Sequence, residues 1–354
     1  MSATARHTDA PAADQVAASL DSAAFVRIVA APTGGAIAAA GLLGRACRDR
    51  SIGFQVSVAP RGNRETDADL TVAIGCRVDA DTVVPAASSV AADIVCALDG
   101  DPDPALSAVE SRLAGRGASD PTPGIAGPTG NPVDDLAHST LLHAPFSGDT
   151  GAVEALCSDI GIDPVNPGRN ALRRLAGAAA VRAVAEAPPA AGEAVEAAIG
   201  SQEGGPFASI GGFADVLDAL ARERPGDATT LALGGTVSGA IDRWREHAVR
   251  AHRALGAADR SRYDGLSVRR LDPDAPVGTV ARLAVRFDAP ESVVLALAGD
   301  RVAVASRSDA DAERRLATVA DRCGGRAIGD ATRAIGRIDA DATDVIASVR
   351  EVGS

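Results

Sequence analysis

Six residues late in the chain carry the groups with which a protein grips an anion: Ser306, Arg307 and Ser308, then, one helix later, Gly324, Gly325 and Arg326. Hydroxyls and backbone N–H groups at a turn donate to phosphate oxygens, arginine adds a charged fork of donors, and glycine lets bare backbone come close. The order around them is strand, polar turn, helix and glycine turn. Arg301 to Ala305 alternates, and Asp311 to Arg322 places Leu316, Val319 and Ala320 on one helical face before the glycine pair ends it. The same stretch also fits the plain edge of a small α/β domain, with a helix closed by glycine.

Other constellations are weaker. Pro32-Thr33-Gly34-Gly35 lies between a strand and a helix, where it is either a phosphate loop or a tight βα turn. A Walker A loop needs lysine, and the chain has none; the dinucleotide fingerprint G-x-G-x-x-G is also absent here. Asp134, Asp135, His138, His143 and Asp149 mix carboxylates and imidazoles that could hold Mn²⁺ or Mg²⁺. However, His138 and His143 are five apart, on different faces of one helix, and Asp134-Asp135 equally makes a helix-capping start. His247 and His252 share that spacing among arginines and read as a solvated helix face. Neither G-x-S-x-G nor H-E-x-x-H occurs, and the strand ends Ala31-Pro32-Thr33 and Gly75-Cys76 offer no set of metal ligands.

The elements that must position these residues follow from composition and pattern. The chain has 354 residues, 46% hydrophobic and 23% charged, so two soluble globular domains are expected. Its formal net charge is −12, and all 35 of its lysine-or-arginine positions are arginine. Abundant aspartate, no lysine and few large apolar side chains give the composition of a protein from an extreme halophile; GC-biased coding is the alternative. In molar salt phosphate contacts weaken by counterion release, so a nucleic-acid partner needs stacking or sugar contacts as well. Five cysteines without C-x-x-C spacing read as free thiols in a reducing cytoplasm. No run reaches 18 apolar residues, so no membrane partner is expected. Phe25 to Ala30, Phe54 to Ala59 and Asp69 to Cys76 alternate with helical stretches as in βαβ units. A long Gly/Pro/Ser/Thr-rich loop follows over Gly115 to Pro132, and Val237 to Leu255 forms a helix suited to connect two lobes. Beyond it Gly265 to Arg270, Ala281 to Phe287, Ser292 to Ala298 and Arg301 to Ala305 are strand candidates.

The series Ser306-Arg307-Ser308 and Gly324-Gly325 resembles the C-terminal, DHH-associated domain of the DHH phosphoesterase superfamily, above all its RecJ-like exonuclease branch in haloarchaeal form. There a strand ends in S-x-R-S, a helix follows, and a G-G-G-H-type turn leads to a final strand. The family's histidine falls near Asp330, a departure from the pattern. Phe25 to Ala46 keeps the family's first strand and Ala-rich helix, but Ala31 to Gly35 replaces the D-x-D acids. The second motif ends in Gly75-Cys76 rather than Asp, and no D-H-H triplet exists. Gly204 to Gly226 is similar to the segment before the family's connecting helix. The resemblance implies an α/β fold: an N-terminal DHH-like parallel-sheet domain joined by a helix to a smaller C-terminal α/β DHH-associated domain. The expected boundaries are a flexible tail over 1–22, the degenerate DHH-like domain over 23–235, the connecting helix over 236–258 and the nucleic-acid-binding domain over 259–354.

What the resemblance implies for function is a catalytically inactive relative of a single-stranded-DNA exonuclease, without catalytic residues or cofactor. It would bind single-stranded DNA or RNA through Ser306, Arg307, Ser308, Gly324, Gly325 and Arg326, or scaffold a replication and repair complex with an active RecJ paralogue, GINS or the replicative helicase. Two alternatives stand beside it. One is an active Mn²⁺- or Mg²⁺-dependent phosphodiesterase using Asp134, Asp135, His138, His143 and Asp149. The other is a protein-interaction module without nucleic-acid affinity.

Overall fold

The computed structural model describes residues 12–59, 67–76, 78–86, 89–113, 122–185, 187–189, 191–307 and 311–352. The chain runs through α1 (Ala13–Ser22), β1 (Phe25–Ala30), α2 (Gly34–Asp49), β2 (Gly53–Val58), β3 (Leu70–Ile74), β4 (Thr82–Val84), α3 (Val90–Ala97) and α4 (Pro104–Leu113). These strands form one parallel sheet in the order β2-β1-β3-β4. FVRIVA and LTVAI are near-continuous apolar runs because central parallel strands are covered on both faces. The tail expected over 1–22 is corrected for its second half: residues 13–22 are helical, and Val16, Ala17 and Leu20 are buried in the same core as β1. Three apolar residues on one helical face are enough to tie that segment down. Residues 1–11 lie outside the described residues.

A helical region follows: β5 (Thr122–Pro123), α5 (Pro132–His138), α6 (Thr150–Asp159), α7 (Arg169–Val184), α8 (Ala191–Ile199), β6 (Gly200–Ser201), α9 (Ile210–Glu223), α10 (Pro225–Ala232) and α11 (Ala240–Ala257). Of the loop expected over Gly115 to Pro132, residues 115–121 lie outside the described residues. The rest is pinned beneath the start of α9, where the Ser209 hydroxyl donates to the Gly127 carbonyl at 2.9 Å. Every residue of α9 from Ile210 to Ala221 is buried, Asp215 and Asp218 included. A helix buried all round normally excludes charge. Those two carboxylates must therefore find partners inside the molecule.

The second sheet is built from β7 (Asp259–Tyr263), β8 (Leu266–Arg270), β9 (Val293–Ala298), β10 (Arg301–Ser306), β11 (Gly325–Gly329) and β12 (Arg333–Ile338), with α12 (Val277–Phe287), α13 (Ala312–Cys323) and α14 (Ala342–Val352). Its order is β11-β12-β10-β9-β8-β7, and only β8 and β9 are parallel. Alternation sorts the two faces. Val293, Leu295, Leu297, Val302 and Val304 pack with α13 and α14, whereas Ala296, Ala298, Ala303 and Ala305 pack with α12. Alanines on that face let α12 lie close to the sheet. Ala281 to Phe287, expected as a strand, is the latter part of α12. Val277, Val280, Ala281 and Ala284 recur at helical spacing, and the connection between parallel β8 and β9 requires a crossover of this kind. The architecture is α/β, a parallel-sheet unit linked through α11 to a smaller α/β unit. Among the described residues no helix is long and apolar enough to cross a membrane.

Candidate functional site

In an open parallel sheet, ligands bind outside the carboxyl ends of the strands. Here β1 continues into Ala31-Pro32, β2 into Ala59, β3 into Gly75-Cys76 and β4 into Pro85-Ala86. None of these described strand-end residues carries a carboxylate or imidazole, so they offer Mn²⁺ or Mg²⁺ no hard side-chain ligand. The residues present do not fit the metal that the resemblance associates with this fold. Cys76 brings a thiol, but its Sγ–H donates to the Val29 carbonyl at 3.5 Å, and burial pushes it up to about 11. It stays protonated and unreactive at neutral pH. The strand ends are also full. Gly75 has φ +63°, and a β-carbon there would lie 2.3 Å from Ala86 Cβ; at Gly34 it would lie 2.7 Å from Leu113 Cδ1 and 2.9 Å from the Asp218 backbone.

The anion position at the start of α2 is taken by the protein itself. The Gly34 N–H donates to Asp218 Oδ1 at 2.9 Å, and Asp218 Oδ2 is 2.6 Å from Arg222 Nη1 and 3.5 Å from Arg282 Nη2. Burial alone would push the Asp218 carboxyl up. Arg222, Arg282 and Arg333 outweigh it and hold the group well below the usual carboxylate range. One turn earlier, Asp215 accepts from Thr140 Oγ1 at 2.5 Å, Thr140 N–H at 2.9 Å and Trp244 Nε1–H at 2.8 Å. Burial dominates there and raises its pKa despite those donors. Arg282 Nη1 and Nη2 donate to the Thr140 carbonyl and hydroxyl at 2.9 and 2.8 Å, so one threonine ties α9 to α12. One turn along α12 stands Arg286, and from β12 Arg333 reaches the Leu113 carbonyl at 3.2 Å. Four guanidinium groups, from Arg222, Arg282, Arg286 and Arg333, thus surround Asp218, with Asp215 behind.

The residues expected to grip an anion are divided between the two ends of the C-terminal sheet. Ser306 and Arg307 leave β10 beside the β11–β12 turn, where the Ser306 N–H donates to the Thr332 carbonyl at 2.8 Å. Gly325 pairs with Ile338 at the opposite end of β11, and Arg326 is exposed beside it. The intervening α13, with 12 residues and about 1.5 Å of rise per residue, carries the chain back along the sheet. One helix of sequence separation therefore keeps the two turns apart rather than bringing them together. Gly324 and Gly325 make a close strand junction, since a β-carbon on Gly325 would lie 2.2 Å from the Arg337 carbonyl oxygen. The Arg307 guanidinium donates to the carbonyls of Val285, Ala289 and Pro290 at 2.8 to 2.9 Å, closing the end of α12. Asp330 closes the β11–β12 turn by accepting from Thr332 and Arg333. Ser308 lies outside the described residues.

The alternative metal set is likewise dispersed into structural roles. Asp134 receives Arg245 Nη2 at 2.6 Å, and His138 Nδ1 lies 2.9 Å from the same carboxylate. Asp135 accepts from Thr129 N–H, Thr129 Oγ1 and Gly130 N–H, and burial pushes it up to about 6. Asp149 caps α6 through the Ala152 N–H. His143 instead stacks on His252, with Nδ1 atoms 3.0 Å apart. Because His252 Nε2 faces the Ser139 carbonyl at 3.0 Å, Nε2 carries its proton and Nδ1 accepts from His143. Burial, aided by His143, brings His252 down to about 3. His247, expected on a solvated face, is buried between Glu223 and the Thr279 hydroxyl. Among the described residues no group of three or more His, Cys, Asp or Glu side chains could hold a metal ion.

A curated relative, Uncharacterized protein rrnAC1427 from Haloarcula marismortui, is 42% identical over 371 residues, covering 99% of this chain and 100% of the relative. The chain belongs to this family. The family model described as Uncharacterized protein rrnAC1427, C-terminal domain, matches residues 258–351, which hold the second sheet and its helices. Among solved structures, CDC45 from Entamoeba histolytica is 8% identical, covers 93% of this chain and 95% of its own, and superposes with a TM-score of 0.54. RecJ from Thermus thermophilus in complex with Mn²⁺ is 15% identical, with 99% of this chain matched to 55% of that one at a TM-score of 0.48. The CDC45 likeness is one of fold. This chain shares the CDC45 fold over nearly its whole length.

Proposed function

We propose that the protein is a non-catalytic RecJ-like DHH protein that binds single-stranded DNA or RNA and, through it, serves as a scaffold in a replication or repair complex. One observation carries the loss of catalysis: four strand ends lined by Ala31, Pro32, Ala59, Gly75, Cys76, Pro85 and Ala86, with Asp218 seated on the first helix N-terminus of the sheet. Metal-assisted hydrolysis needs several ligands converging there to hold ions and activate water, and small apolar residues supply none. Binding is supported by the arginines between α9, α12 and β12 and by exposed Arg326, gathered in a chain whose formal net charge is −12. An active paralogue, GINS or a ring helicase is the partner class this reading favours, and the acidic composition suits an interior of concentrated salt.

Protein purified free of host nucleases is incubated with labelled single strands and Mn²⁺ in molar salt, and strand binding is followed in parallel by fluorescence anisotropy. Saturable binding without shortening of the strand is expected. Turnover abolished by chelator would overturn the non-catalytic reading; absence of binding at every salt concentration would leave a protein-interaction module in its place.

A further inference from the structure

The arginine cluster around Asp218 is out of balance in a way that Arg269, Arg245 and Arg307 are not. Arg269 meets Asp288 Oδ2 through Nε and Nη2 at 2.9 and 2.7 Å, Arg245 meets Asp134, and Arg307 is satisfied by three carbonyls. By contrast, Arg222, Arg282 and Arg333 all draw on the charge of Asp218, while Asp215, already engaged by Thr140 and Trp244, adds only to Arg282 of the three. The Nε atoms of Arg222 and Arg282 are buried without a hydrogen-bond partner among the described residues. Arg286 has no hydrogen bond or ion pair among them, and burial together with the like charges of Arg282 and Arg333 brings it down to about 9 against the pull of Asp218. Unpaired cations withdrawn from water are strongly disfavoured unless an anion joins them.

Two members of the cluster reach solvent. Arg282 and Arg286 lie four apart on one face of α12, Arg222 Nε sits 3.4 Å from where a β-carbon on Gly278 would be, and Ile335 closes the other side. Arg286 and Arg333 keep partial exposure, whereas Arg282 is sealed inside. Arg333 pairs with Ala305 across the sheet, one residue from Ser306.

We propose that Arg286 and Arg333, backed by Arg222 and Arg282, bind a phosphate group, and that this phosphate belongs to the single strand assigned above. The second half rests on that functional reading; the first does not. Guanidinium forks arriving from α9, α12 and β12 suit a tetrahedral anion with several oxygens, and its negative charge offsets the excess.

Thermal unfolding of the full chain in inorganic phosphate is compared with chloride at matched ionic strength, for the wild type, Arg286→Gln and Arg333→Gln. Phosphate raises the wild-type midpoint, and each substitution weakens the apparent phosphate affinity roughly tenfold. In chloride alone Arg286→Gln unfolds no earlier than the wild type, because an unpaired cation has been removed. An equal phosphate shift in all three proteins, or none in the wild type, overturns the site. The same proteins are titrated with a labelled oligothymidylate. Weaker binding and a shallower salt dependence in Arg286→Gln are expected. Oligonucleotide binding untouched by either substitution overturns the site's role while leaving strand binding intact. A phosphate shift in a protein that binds no oligonucleotide overturns the second half and assigns the site to a free phosphorylated ligand.

Discussion

The strand ends of the parallel sheet and the arginine cluster meet at Asp218 of α9 and face opposite conditions. At the strand ends a β-carbon on Gly34 would run into Leu113 and Asp218 and one on Gly75 into Ala86, and the helix N-terminus is satisfied by Asp218 Oδ1. Through its other oxygen the same Asp218 faces Arg222 and Arg282, with Arg333 and Arg286 beyond. A fold whose binding crevice is normally at the strand ends has here filled that crevice with protein and accumulated charge directly beside it. Closing the first site and charging the second are linked, because a single carboxylate on α9 serves both.

The comparison breaks most directly at Asp218. Asp218→Ala leaves half-buried Arg222 and buried Arg282 without their carboxylate partner and is expected to cost about 3–5 kcal/mol, read by denaturant unfolding. A loss below about 1 kcal/mol would mean that the cluster does not depend on it. Next, Gly75→Ala tests how tightly the strand ends are closed. The left-handed backbone and the 2.3 Å approach to Ala86 predict a loss of about 2–3 kcal/mol, again by unfolding, with no gain of nuclease activity. Near neutral pH the smallest effect is the pH dependence. His252, held near 3 by burial, stays neutral when folded, while its unfolded counterpart takes up a proton below about 6.5. Stability is therefore lost as pH falls from about 6.5, by up to about 1.4 kcal/mol per pH unit, and His143, lowered by burial, acts in the same sense. Below about 4 Asp218 adds to the loss, since its depressed folded pKa stabilises only above the unfolded value. His252→Gln should flatten the upper window and Asp218→Asn the lower; unchanged slopes in the variants would show that other groups control the acid limb.

Much of this is visible in the residues themselves. Apolar FVRIVA and DLTVAIGC have the pattern of covered parallel strands, and the acids missing at Ala31 to Gly35 and Gly75-Cys76 are readable by inspection. Arg282 and Arg286 also leave a signal, two cations four apart in the apolar run VARLAVRF. That run alternates well enough to resemble a strand, which would place the two arginines on a pleated face rather than on one side of a helix. Arg307 illustrates the opposite case, a guanidinium singled out by its place in a motif whose donors are directed at backbone carbonyls at the end of α12.

By itself the sequence determined the fold class, the order of sheet and crossover in the N-terminal unit, the absence of metal donors at the first and third strand ends, and the small-residue core. All of these depend on local pattern and on which side chains exist at all. Only the tertiary structure decided which charges meet. Arg222, Arg286 and Arg333 are too far apart along the chain for any local pattern to link them. The antiparallel register of β10 and β12 and the reach of Arg282 from α12 to Asp218 on α9 gather them around that carboxylate. Electrostatic partnership is set by distance in space, and distance in space is what a linear sequence does not carry.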